Sequence, residues 1–351
     1  MNGRIGLLGG LLIVQLLVIA ALLFGSRDSA QAQGPLLAFS ADIAQSLTID
    51  EGPAAAPAAD AEASAEAADT APESVTVQRV ADRWEVAGLP ADADKVNALL
   101  ARLADLRSAW PVATTLRAQS RFEVADDRYR KRVQVALGDG SAQSLLLGSS
   151  PGFKRVHARV PGNDAVYSIA LAEFDLPTAT VDWLDKALLA FAGDVTRVRR
   201  DGQWEASLEV PSAADDTTDG AAEPARSWLI GPLAAGALAA ETAAADPQAM
   251  QTLLNRFRSL QVIGIAPAES DASLVDTFIL ESTAGERHRY ELFEDSTADR
   301  YFLARDDIEG RFEIAGYLAE QFRTELTALV PADVDETSAE DGATEDAAGA
   351  S

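Results

Sequence analysis

Two histidines, His157 and His288, are the only imidazoles in a 351-residue chain that contains no cysteine. Without a thiol, disulfide scaffolds, thiolate zinc sites, iron–sulfur clusters, cysteine nucleophiles and lipid attachment through an N-terminal cysteine are excluded. His157 lies in Val156-His157-Ala158-Arg159 and His288 in Arg287-His288-Arg289. Both segments read as exposed strand, and neither histidine has a second one at metal-ligand spacing, so both are expected to be structural. Gly148-Ser149-Ser150-Pro151-Gly152 lacks the lysine of a phosphate-binding loop, and no Gly-x-Ser-x-Gly elbow occurs. The pairs Asp126-Asp127, Glu294-Asp295 and Asp306-Asp307 offer oxygens to a hard cation. Adjacent acids on a strand point to opposite faces, however, so these pairs read as solvated turns. No catalytic, cofactor-binding or metal-binding residue is expected, and the chain reads as non-enzymatic. What remains is recognition. Leu147 to Arg159 is the densest mixture of turn residues, an aromatic and bases, which makes Phe153, Lys154, Arg155, His157 and Arg159 the candidate partner surface.

Charge is distributed unevenly around that segment. The net charge is −26, and 19 of the 26 negative charges fall in residues 50–74, 211–250 and 331–351, which are poor in large apolar residues. Such segments bury too little surface to offset their ordering entropy and are expected to be disordered. The acidic balance argues against nucleic acid, whose phosphates need a basic footprint. One basic run, Arg128-Tyr129-Arg130-Lys131-Arg132, follows Glu123, Asp126 and Asp127 and reads as a solvated strand edge.

Ile5 to Phe24 runs twenty residues without a charge, the length needed to cross a bilayer core. Ala30-Gln31-Ala32 has the form of a signal-peptide cleavage site, but the apolar run exceeds the usual ~7–15 residues and Arg27 and Asp28 intervene. The favoured reading is an uncleaved anchor. Arg4 and the amino terminus precede it while Asp28 offsets Arg27, which places the N-terminus in the cytoplasm and the body in the periplasm. The chain is then expected to be a single-pass inner-membrane protein, with Gly6 and Gly10 allowing close approach of another helix.

The elements that must position the candidate surface show internal similarity. Leu36 to Ile43 resembles Leu188 to Val195, with five of eight positions identical. Val75-Thr76, Arg79 and Trp84-Glu85 recur as Val195-Thr196, Arg199 and Trp204-Glu205. Val96, Leu99, Leu100, Leu103 and Leu106 share one helical spacing with Met250, Leu253, Leu254, Phe257 and Leu260. Asp92 and Asp246 precede the two helices as caps. Alternating segments follow each: Val133 to Leu137, Gly138-Asp139-Gly140 and Leu145 to Leu147; then Phe278 to Leu280, Ala284-Gly285 and Tyr290 to Leu292. These read as hairpins, and Trp84 and Trp204 as core anchors. The expected fold class is α+β, with two tandem duplicated modules, each an antiparallel sheet with an amphipathic helix on one face, behind the N-terminal span. The expected divisions are an anchor at 1–34, module one at 36–187 with an acidic insert at 51–74, module two at 188–330 with an insert at 211–247, and an acidic tail at 331–351. Trp228-Leu229-Ile230 in the second insert is expected to dock as an added strand.

The order of these features resembles the bacterial family catalogued as domain of unknown function 4340. The residues that carry the resemblance are Leu188 to Val198, Trp84 to Val86, Ala91 to Leu106, Leu147-Gly148 and Val166-Tyr167, and it covers roughly residues 36–328 without the acidic inserts. The resemblance implies a single-span envelope protein associated with ABC-type transporter components similar to the gliding-motility auxiliary proteins. No catalytic residue is assigned to that family, so none is carried over. The expected partner is an ABC-type permease or ATPase, or another envelope protein. The alternative is an envelope scaffold that binds polysaccharide or peptide through exposed sheet edges.

Overall fold

A computed structural model describes residues 34–53, 73–108, 110–209, 227–234, 237–238, 242–267, 270–323 and 326–331. The chain divides into two compact units, Met1–Asp185 and Lys186–Ser351.

In the first unit the strands are β1 (Ala44–Glu51), β2 (Ser74–Val80), β3 (Arg83–Val86), β4 (Leu89–Pro90), β5 (Val124–Ala125), β6 (Arg128–Tyr129), β7 (Lys131–Leu137), β8 (Ala142–Leu147), β9 (Val156–Arg159) and β10 (Tyr167–Ile169). Eight of them form one antiparallel sheet in the order β10-β9-β8-β7-β1-β2-β3-β4, and β5 pairs with β6. Alternation decides which face is buried. On β7, Lys131, Val133, Val135 and Leu137 point inward while the residues between them are half-exposed. The turn at Gly138 to Gly140 sets a register in which Val133 faces Leu145 and Lys131 faces Leu147. Helix α1 (Ala93–Ala104) starts where the Asp92 carboxylate accepts the Lys95 N–H at 2.9 Å, and it buries Val96, Leu99, Leu100 and Leu103. The Trp84 indole donates to Asn97 Oδ1 at 3.0 Å, which ties β3 to that helix. Helix α2 (Leu116–Arg121) is capped by the Thr115 hydroxyl.

In the second unit the strands are β11 (Val195–Arg200), β12 (Trp204–Glu209), β13 (Ser227–Ala234), β14 (Ala237–Leu238), β15 (Ala243–Ala244), β16 (Gly264–Ile265), β17 (Ser273–Ser282), β18 (Arg287–Asp295), β19 (Arg300–Arg305) and β20 (Ile308–Ile314). They form one sheet in the order β14-β13-β12-β11-β17-β18-β19-β20-β16, with β15 also on β13. Trp228, Leu229 and Ile230 lie within β13. Helix α3 (Pro247–Arg258) has Pro247 in its first turn, where its missing N–H costs nothing, and the Asp246 carboxylate accepts from Gln248 and Ala249 N–H. Phe257 of α3 meets Phe278, Tyr290 and, on α4 (Gly316–Phe322), Phe322, with ring centroids 4.6–5.8 Å apart.

Three expectations are corrected. The duplicated α+β modules, each a sheet under one amphipathic helix, are not what forms: both units are chiefly antiparallel sheet, of eight and ten strands. Val75 to Glu85 aligned with Val195 to Glu205, but the first stretch is β2 and β3 and the second β11 and β12. β2 has β1 on its other side, whereas β11 has β17. Alternating residues around a tight turn specify a hairpin; its place in a sheet depends on distant strands. The end of the basic run is not a solvated edge either: Arg128 is exposed on β6, but Lys131 and Arg132 begin β7, which lies between β8 and β1. There the Lys131 ammonium is buried and donates to Leu176 O at 2.8 Å, while Arg132 pairs with Asp50 and Arg130 with Glu123. Finally, no helix among the described residues is long and apolar enough to cross a membrane. The longest have 12 residues, about 18 Å of helix against the ~30 Å of a bilayer core. That counts against the single-pass inner-membrane placement. The apolar run Ile5 to Phe24, with Gly6 and Gly10, lies outside the described residues.

Candidate functional site

The five candidate residues sit on and below one loop of the first unit, the connection between β8 and β9. Its base is fixed by backbone contacts: Gly148 N–H donates to His157 O at 2.9 Å, His157 N–H to Ser149 O at 3.0 Å and Ser149 N–H to Phe122 O at 2.9 Å. Gly148 presses so closely on the end of α2 that a Cβ there would lie 2.0 Å from Phe122 O and 2.4 Å from Glu123 O. The tip is folded by the Ser150 hydroxyl, which donates to Gly152 O or Arg155 O, each at 2.8 Å, and by Lys154 in the left-handed region at φ 54°.

This framework separates the candidates into two groups. Phe153 is 85% exposed, with the Lys154 ammonium 5.3 Å from its ring centroid. Arg155 is exposed along its length, yet its guanidinium donates to Ser168 Oγ at 2.9 Å and Ser168 O at 2.5 Å on β10. His157 and Arg159 are buried instead. The His157 ring stacks on Phe122 with centroids 4.1 Å apart and its Nδ1–H donates to Ser149 O at 2.8 Å. Burial holds its pKa below the ordinary imidazole value, opposed by that hydrogen bond. Arg159 donates to Val124 O at 2.6 Å and Asn163 O at 3.2 Å, and it pairs with Asp126 at 2.5 Å. The expectation that His157 is exposed is therefore corrected: it and Arg159 brace the loop from below, while Phe153, Lys154 and Arg155 present it.

A second exposed segment adjoins the first through β10. Val112 N–H donates to Val166 O and Val166 N–H to Ala113 O, each at 2.8 Å. Val166 immediately precedes β10 and is two residues before Ser168, so the two attachments lie about 6.6 Å apart along one extended stretch. The attached segment exposes Trp110 (75%), Val112 (50%) and Leu116 (75%), with Arg117 exposed beside Leu116. Residues 106–122 and 147–160 contain six basic side chains and no acid in a chain of net charge −26. Exposed aromatic and aliphatic groups among arginines form the composition that protein interfaces favour.

A family model described as Domain of unknown function (DUF4340) matches residues 84–281, more than half of the chain. The chain belongs to the DUF4340 family. No curated protein and no solved structure matches it. Both exposed segments lie within the DUF4340 match, which begins at Trp84 and so includes α1 to β10. The Trp110 to Leu116 segment was missed by motif reasoning, although a Trp-Pro pair in an acid-free stretch holding three arginines was a readable signal.

Elsewhere among the described residues, the charged groups nearest an open groove are already engaged. Lys95 and Arg102 line that groove with Leu99 and Phe174. Lys95 donates to Asp182 O at 2.6 Å, and Arg102 pairs with Asp175 at 2.6 Å. Of the three acid pairs, Asp126-Asp127 and Asp306-Asp307 occupy turns, while Glu294-Asp295 lies in β18. His288 on β18 is half-buried and has Asp306 and Asp307 as neighbours.

Proposed function

We propose that this chain is a non-enzymatic accessory protein that binds another protein through the β10 side of its first unit. The observation that supports the reading is the pair of exposed, acid-free segments held on β10 and the residue before it, with Phe153, Trp110 and Leu116 as apolar anchors and Lys154 and Arg117 as flanking cations. Binding energy at interfaces concentrates in a few aromatic and arginine side chains, and a rigidly braced loop loses little freedom on docking. Membership of DUF4340 supports an ABC-type transporter component as the partner, through the association that the family resemblance implies.

The test is site-specific photocrosslinking in the full chain. A photoreactive residue at Phe153 or Leu116 is expected to capture an ABC-type permease or ATPase. The same residue at Leu274, exposed in the second unit, is not. Equal capture from all three positions would refute the assignment of the surface. Capture of polysaccharide at Phe153 would replace a protein partner with the scaffold reading.

A further inference from the structure

His288 and the turn between β19 and β20 form a cluster that the partner-binding reading leaves unused. β18 places His288 opposite Leu280 of β17, and the Asp306 N–H donates to Arg289 O at 3.1 Å, folding the turn back beside β18. His288 Nδ1 then lies 3.5 Å from Asp306 Oδ1 and 3.5 Å from Asp307 Oδ1. All three ligand atoms fall within 4.8 Å of one another. The turn has therefore done what a strand would not: it directs two adjacent carboxylates toward one point.

The state of Nδ1 is the second observation. That atom has almost no solvent contact and no hydrogen-bond partner, although buried polar atoms are partnered in the great majority of cases. The Phe191 ring meets the imidazole in a T-shaped contact, centroids 5.8 Å apart. The two separations of 3.5 Å are compatible with ligands bonded at about 2.0–2.2 Å in tetrahedral directions, which lie roughly 3.3–3.5 Å apart, and the two carboxylate oxygens lie within 4.8 Å of each other. Imidazole with two carboxylates is a donor set for borderline first-row ions, whereas calcium takes six to eight oxygens. Asp306 and Asp307 are 46% and 42% exposed, which leaves an entry path. Arg305 grips Asp307 with two hydrogen bonds of 2.5 and 3.0 Å and also donates to Ala190 O, so its cation opposes the ion and limits affinity.

We propose that His288, Asp306 and Asp307 form a three-ligand site for a divalent first-row transition metal such as Zn²⁺, with one coordination position open. The three residues lie outside residues 84–281, so the site is independent of the DUF4340 match.

The test titrates Zn²⁺ into the chelator-stripped full chain by calorimetry and reads Co²⁺ binding by its visible d–d absorption. The expected result is one saturable equivalent that binds at least about tenfold more weakly in His288→Gln and in Asp306→Asn, with no change in His157→Gln. Asp306→Asn alters only a turn, so it remains informative if the strand variant misfolds. No saturable equivalent, or one that both variants retain at full affinity, would overturn the proposal.

Discussion

Arg200 and Asp276 each keep only 5% of their side-chain surface in solvent and are joined by two hydrogen bonds of 2.8 and 2.9 Å between β11 and β17. Removing one member of a buried pair strands the other charge away from water. Asp276→Ala is therefore predicted to cost about 3–5 kcal/mol, measured by urea unfolding. His157 supplies a pH dependence whose sign follows from burial. Its folded pKa lies below the unfolded value near 6.5, so both states are neutral well above about pH 6.5 and no stability is lost there. Below that, the unfolded chain takes a proton first and stability falls, until the pH drops past the depressed folded pKa. Between about pH 7.5 and pH 5 the parent chain should lose more stability than His157→Gln, and equal losses would contradict this account.

Elements are where the sequence was most legible. Both helices begin at the aspartates that the pattern marks as caps, and Asp92→Ala and Asp246→Ala should each cost about 1 kcal/mol in urea unfolding. Gly138 to Gly140 marked a hairpin because its residue types encode a local turn. Sheet order was not legible: β1 lies between β2 and β7, and nothing near β1 in sequence names β7 as a neighbour. For the same reason the burial of His157 and Arg159 was hidden, since Phe122, Val124 and Asp126 come from another segment. The turn residues around Phe153 to Arg155 marked a loop, and the loop is exposed there; Trp110 to Leu116 is joined to it only through β10 and the residue before it. Gly148→Ala links this element to function. Its Cβ would overlap two backbone oxygens, so the loop must shift, with a predicted loss of about 1–3 kcal/mol and weaker partner capture.

At the scale of the whole chain, packing among the described residues includes Leu329, which is 1% exposed and accepts the Asp246 N–H at 2.8 Å. Deleting residues 332–351 removes seven acids and no base while leaving those contacts. The urea midpoint should not move, whereas a deletion that begins before Leu326 should lower it. The remaining charge pattern sets two acid-free segments in a strongly acidic chain, so association with a partner should weaken as salt screens Lys154 and Arg117. The central claim is that this surface is the binding surface. Its most direct test is quantitative affinity capture of the tagged full chain beside a Trp110→Ala/Phe153→Ala variant whose circular dichroism matches the parent. The account predicts enrichment of an ABC-type permease or ATPase with the parent and a more than about tenfold loss in the variant; equal recovery from both, or none from the parent, would contradict it.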